Sequence, residues 1–196
     1  KKILCVIGAV VVVVLAGFLY NNYMNGKESD AQKAIAKSQE AFAQQQYEQA
    51  LNGDGTQSAG FLRIASDYSG TKTANLAKLY AAICYAKTDK YDEAIKLFED
   101  YSQKDDQMIS PASLAALGNC YIQQGQNDKG ISMLLKAAKA ASNDAISPRC
   151  LLQAALVYEA EGNGEKAVEL YKEIKDKYFR SPLSADMDKY IERASK

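Results

Sequence analysis

The sequence predicts an all-α protein, a helical-repeat solenoid tethered by one N-terminal transmembrane helix. Two observations carry that fold. An uncharged apolar run opens the 196-residue chain, and a small-residue and Tyr pattern recurs three times in register behind it. A third observation bears on chemistry: the chain contains no His.

The apolar run is Ile3 to Tyr20, ILCVIGAVVVVVLAGFLY. Eighteen residues at helical rise reach about 27 Å, close to the hydrocarbon thickness of a bilayer. In lipid every backbone group must be paired internally, so the run is expected to be helical despite its β-branched valines. It is longer than a usual signal-peptide core, and no A-x-A cleavage pattern follows it. Cys5 stands at the wrong end of the run for a lipoprotein cysteine. An uncleaved anchor is therefore expected over residues 1–23, followed by a short linker, 24–30. Lys1 and Lys2 precede the run, and the positive-inside tendency keeps that end cytoplasmic and exports the body. Cys5, Gly8, Ala9 and Ala16 put small residues along one side of the helix, where a second membrane helix could approach closely.

The repeats align on Ala82 and Tyr85, Gly118 and Tyr121, and Ala155 and Tyr158. Turn residues Asp89, Gly125 and Gly162 follow four places after each Tyr, and small residues Ala94, Gly130 and Ala167 follow nine places after it. Phe98, Leu134 and Tyr171 come four places later still. Two antiparallel helices can approach closely only where side chains are small, and each pair leaves an apolar face that the next pair must cover. These residues resemble the tetratricopeptide repeat family, with Gly130 in place of its usual Ala and no Trp early in the first helix.

Three tetratricopeptide-like repeats are thus placed at 75–182. A degenerate first repeat precedes them at 31–74, with Asn52-Gly53-Asp54-Gly55 as an inserted loop and a helix resuming near Ala59. That loop lacks calcium-loop ligand spacing and reads as a plain insertion. Ser181-Pro182 opens a C-terminal capping helix over 183–196, with Asp186, Asp188, Lys189, Glu192 and Arg193 on its polar face. The pair-per-repeat reading gives a body of seven to nine helices.

Composition narrows the function. Lys plus Arg and Asp plus Glu are 24 each, so the net charge is zero, which argues against nucleic acid as a partner. Without His there can be no Ser-His-Asp or Cys-His arrangement and no His-ligated zinc. No local motif gathers carboxylates, Lys, Tyr or Cys into a catalytic set. No enzyme activity, cofactor or metal is expected. Cys5, Cys84, Cys120 and Cys150 form no C-x-x-C pair. Equivalent points on stacked helices lie about 10 Å apart, too far for a disulfide, so these are read as small buried hydrophobes.

Repeat solenoids bind through the face lined by the first helix of each pair. Spacing from the small residue places Leu79, Ile83, Ala86, Ala115, Asn119, Ile122, Leu152, Leu156 and Glu159 there. The face is expected either to take an extended or helical segment, such as unfolded polypeptide, or to lie beneath the C-terminal helix. Taken whole, one membrane helix with an exported repeat body resembles the YfgM-type ancillary subunits of the bacterial SecYEG translocon. That resemblance implies an inner-membrane, single-pass scaffold with a periplasmic repeat domain. Its implied partners are SecYEG and a PpiD-like chaperone. An adaptor of another envelope assembly, for outer-membrane assembly or cell division, is the alternative.

Overall fold

A computed structural model describes the backbone of residues 2–196 and the side chains of residues 10–196. Among the described residues there are α- and 3-10 helices and no strand. The chain divides into two compact units, residues 1–84 and 85–196.

In the first unit, α1 (Lys2–Ala43) is followed by α2 (Tyr47–Asn52), α3 (Phe61–Asp67) and most of α4 (Lys72–Lys87). Residues 24–30, set apart in the sequence as a linker, continue α1 without a break. Nothing in that stretch stops a helix: it has no Pro, and its single Gly is tolerable inside one. Val10 to Tyr20 is exposed on every side of α1, whereas Ala31, Ile35, Ser38 and Ala41 are buried further along. Within the described residues no helix is long and apolar enough to cross a membrane. The run expected to do so starts at Ile3, and the side chains of Cys5, Gly8 and Ala9 lie outside the described residues. Ala16 is exposed.

The second helix of the first repeat is split into α2 and α3 by the loop 53–60. Gly53 and Gly60 pinch its two ends together. Both have positive φ, 84° and 73°. A Cβ on Gly60 would stand 2.4 Å from the Gly53 nitrogen, and one on Gly53 2.2 Å from the Ser58 carbonyl oxygen. Only glycine fits such a closure. Asp54 Oδ1 accepts the backbone N–H groups of Thr56, Gln57 and Ser58 at 2.9, 2.7 and 2.8 Å. Those hydrogen bonds hold its carboxyl well below the usual aspartate range. The loop carboxylate is thus engaged by its own backbone. Buried Ser58 Oγ meets Ser38 Oγ of α1 at 3.0 Å.

The second unit begins within the last turn of α4. It holds α5 (Tyr91–Asp100), α6 (Ile109–Gln123), α7 (Asn127–Ala141), α8 (Ser147–Ala160) and α9 (Gly164–Lys177), then a 3-10 turn (Pro182–Asp186) and α10 (Met187–Ala194). Among the described residues the ten α-helices exceed the expected seven to nine because the loop 53–60 splits the second helix of the first pair. Leu134, Ala154, Ala155, Ala167, Tyr171, Ile174 and Met187 are wholly buried in one core. Met187 is how α10 closes the end of the stack, while Asp186, Asp188, Lys189, Glu192 and Arg193 face solvent.

One turn geometry recurs through the chain. Lys90, Gln126 and Asn163 donate their N–H groups to the carbonyls of Tyr85, Tyr121 and Tyr158 at 2.9, 2.9 and 2.8 Å, each five residues back. Asp89, Gly125 and Gly162 turn the chain there with φ of 58°, 73° and 77°. The first repeat makes the same turn: Gln46 N–H reaches the Ala41 carbonyl at 2.9 Å and Gln45 has φ 60°. Ala41 lies 44 residues before Tyr85, and Tyr85 lies 36 before Tyr121. The excess of eight is the length of the loop 53–60.

Helix starts repeat as well. Asp106 Oδ1 accepts N–H groups from Met108, Ile109 and Ser110 at 2.9, 2.5 and 3.1 Å, and Ser110 Oγ donates to Asp106 Oδ2 at 2.6 Å. Thirty-seven residues on, Asn143 Oδ1 accepts from Ala145 and Ile146 at 3.0 and 2.9 Å, and Ser147 Oγ accepts from Asn143 N. The first satisfies free N–H groups at the start of α6, and the second those of the turn that leads into α8. Asp106→Ala is expected to cost about 1 kcal/mol in chemical denaturation at neutral pH. The Ser110 hydroxyl lowers the Asp106 pKa most, burial opposes it, and the backbone N–H groups of Met108, Ser110 and Ile109 lower it further. A lowered folded-state pKa gives stability that is present above the unfolded value and lost as pH falls through the folded one. The gap between wild type and variant is therefore expected to shrink below about pH 4.

Candidate partner-binding surface

The exposed faces of α6 and α8 are set by how tightly the helices behind them pack. At the α6–α7 crossing, a Cβ on Gly118 would stand 2.8 Å from the Gly130 carbonyl oxygen, and one on Gly130 2.4 Å from Ile122 Cγ1. The corresponding residues of the next pair, Ala155 and Ala167, are fully buried. With those sides committed, each helix turns one line outward. On α6 it is Ala112, Ala116, Asn119 and Gln123, and on α8 it is Arg149, Gln153, Leu156 and Ala160, each 37 residues later. The α8 line is exposed throughout, as are Ala112 and Gln123, while Ala116 and Asn119 are half-buried. The strip is mostly small side chains and amides, with Arg149 and Leu156 on α8, and α6 carries no charged residue.

The nine residues expected on the binding face fall into three rows of equivalent positions. In the first row, Asn119 and Leu156 lie on the outward lines of α6 and α8, and Ile83 is the equivalent position on α4 in the first unit. Ile83 and Asn119 are half-buried, and Leu156 is 39 % exposed. In the second row Leu79 is buried, while Ala115 and Leu152 are half-buried, packed partly against the core. Of the third row, Ala86 is half-buried, and Ile122 sits at the Gly130 crossing. Glu159 accepts two hydrogen bonds from the Arg193 guanidinium, at 2.5 and 2.7 Å, and one from Tyr171 OH at 2.8 Å. Arg193 is the main reason the Glu159 carboxyl titrates below its usual range, outweighing burial. The C-terminal helix thus occupies the Glu159 end of α8. Ala112, Ala116, Gln123, Arg149, Gln153 and Ala160 were missed in the sequence. Stepping four, three and four residues along α6 from Ala112 would have found them.

The described residues gather no metal-ligand group of three or more. Cys84, Cys120 and Cys150 are buried and form no disulfide, and burial pushes their thiols up to about 12, 11 and 11, so they are inert. A polar pocket of about 300 Å³ lies in the first unit between α1, α2 and the loop, lined by Lys37, Glu40, Gln44, Gln49, Asp54 and Gln57 among others.

Residues 85–147 and 149–178 each match the tetratricopeptide repeat family. The chain is also similar in fold to a crystal structure of nearly identical tetratricopeptide-like repeats from Podosopora anserina. That similarity has a TM-score of 0.65 and 15% identity over 85% of this chain and 86% of that one. A single-residue variant of the same protein gives a TM-score of 0.64, 15% identity and 85% coverage of each chain. No curated protein sequence matches the chain. Residues 85–147 and 149–178 therefore carry tetratricopeptide repeats, and such repeats are protein-interaction scaffolds.

Proposed function

We propose that this protein is a scaffold held at a membrane by the start of α1, which presents its repeats to the Sec export translocon on the exported side. One observation carries the reading. Val10 to Tyr20 is an apolar helical stretch exposed around its whole circumference, continuous with a repeat body. A helix apolar on all sides belongs in a protein interior or a bilayer, and this chain supplies no interior for it. Lys1 and Lys2 favour a cytoplasmic start and an exported body, in the inner membrane of a bacterium. The small-residue and amide strip of α6 and α8 suits an extended polypeptide, whose backbone groups the amides can pair. Tethering raises the local concentration of the repeats near emerging chains, so weak contacts suffice. The resemblance to YfgM-type subunits supports SecYEG and a PpiD-like chaperone as the partners.

Purifying the full chain from bacterial membranes in mild detergent tests this. The expected result is co-purification of SecYEG components, together with loss of membrane association when residues 3–20 are deleted. A soluble full-length chain would remove the anchor. Recovery of an outer-membrane assembly or division complex in place of the translocon would favour the adaptor reading.

A further inference from the structure

The start of α4 differs from the starts of α6 and α8 in where its cap comes from. In α6 and α8 the capping carboxylate or amide is local, Asp106 or Asn143. At α4, Thr71 Oγ1 takes only the Ala74 N–H, at 3.0 Å. The Lys72 and Thr73 N–H groups go to Glu28 Oε2 at 2.7 and 3.3 Å, and the Thr73 hydroxyl donates to Glu28 Oε1 at 2.6 Å. Glu28 is on α1, 44 residues away from Lys72. A carboxylate on a helix N-terminus is stabilised by the free N–H groups and by the helix dipole. Two further side chains of α1 lie beside it. Lys27 Nζ donates to the Ser69 carbonyl at 3.0 Å, and the Met24 methyl lies 3.5 Å from where a Cβ on Gly70 would stand. Lys27 and Glu28 therefore bind the turn between α3 and α4, with Met24 beside Gly70, and α1 runs unbroken past them toward the apolar stretch.

We infer that Met24, Lys27 and Glu28 form a docked joint that makes α1 a rigid strut, fixing the direction of the apolar stretch against the first repeat, with Glu28 as the residue that closes it. The inference goes beyond the membrane reading. If the bilayer holds the apolar stretch, the joint sets the stand-off and rotation at which the first repeat is carried.

The test is a distance distribution between spin labels on Asn21→Cys and Ser66→Cys, in the full chain in lipid nanodiscs, with Cys5 replaced by Ser. The three buried thiols do not compete for label. A single narrow distribution is expected, and Glu28→Ala is expected to broaden it at least twofold, with Lys33→Ala leaving it unchanged. Two glycines inserted after Gly26 give a second variant that leaves the repeat core untouched and is expected to broaden it equally. A broad distribution in the parent chain, or an unchanged width in both variants, overturns the joint. Circular dichroism of each variant separates a loosened joint from an unfolded body. Vesicle flotation of the parent chain reads the membrane anchor separately. Failure to float removes the anchor, and the same labels measured in detergent still decide the joint.

Discussion

Gly118→Leu is expected to be among the most damaging single changes in the second unit, lowering its stability by about 3 kcal/mol or more. The atom that blocks a side chain at Gly118 is the Gly130 carbonyl oxygen, 2.8 Å from the Cβ position, with Leu134 Cγ at 3.1 Å and Met133 Cβ at 3.2 Å behind it. A flexible side chain could swing aside, but backbone can move only if α6 and α7 part. Parting them also uncovers Leu134, which is fully buried. In a repeat stack each pair supports its neighbours, so the loss spreads along the unit. Thermal unfolding followed by circular dichroism is expected to show a melting temperature lower by ~10 °C or more. The exposed change Lys172→Ala is expected to stay within about 0.5 kcal/mol of wild type. Equal melting temperatures for the two variants would contradict the packing register.

Tyr171→Ala is expected to cost a further-reaching 3–5 kcal/mol, because a large, fully buried aromatic side chain leaves a cavity its neighbours cannot fill. The Tyr171 ring centroid lies 5.2 Å from that of Tyr190 on α10, and its hydroxyl donates to Glu159. Removing it therefore loosens α8, α9 and α10 together. Tyr171→Phe separates the two contributions. It keeps the ring, and Glu159 retains Arg193, so about 1 kcal/mol is expected. Denaturant titration of the pair checks this: similar losses for Phe and Ala would mean that the hydroxyl, and not the packed ring, holds the end of the stack.

The repeats were readable in the sequence because their cause is local and periodic. A small residue, a Tyr three places on and a turn residue four beyond it each answer a steric demand that recurs with every helix pair. The split of the first pair was harder to read. Asn52-Gly53-Asp54-Gly55 announced an interruption, but its far end is set by Gly60 meeting Gly53 across eight residues, a contact no short-range pattern encodes. The same holds for Glu28, whose capping role depends on Lys72 and Thr73 far along the chain. Glu159 looked like part of an open face because its partner, Arg193, lies 34 residues away. Other features were legible but passed over. Asp106 with Ser110-Pro111 and Asn143 with Ser147-Pro148 are the same cap written twice at the repeat spacing. On the face expected to bind, counting from the buried small residue gave a line one residue around the helix from the exposed one for much of its length. Asn119 and Leu156 are shared by both lines.

The central claim is that the open line of α6 and α8 meets a protein partner at the membrane. Photo-crosslinking residues placed singly at Gln153 and Leu156, and at exposed Lys136 on α7 for comparison, test it in intact bacterial membranes with the full chain. The account predicts crosslinks to a translocon subunit or an emerging polypeptide from Gln153 and Leu156, and little from Lys136. Equal yields from all three positions, or no membrane-associated product from the α8 positions, would contradict it.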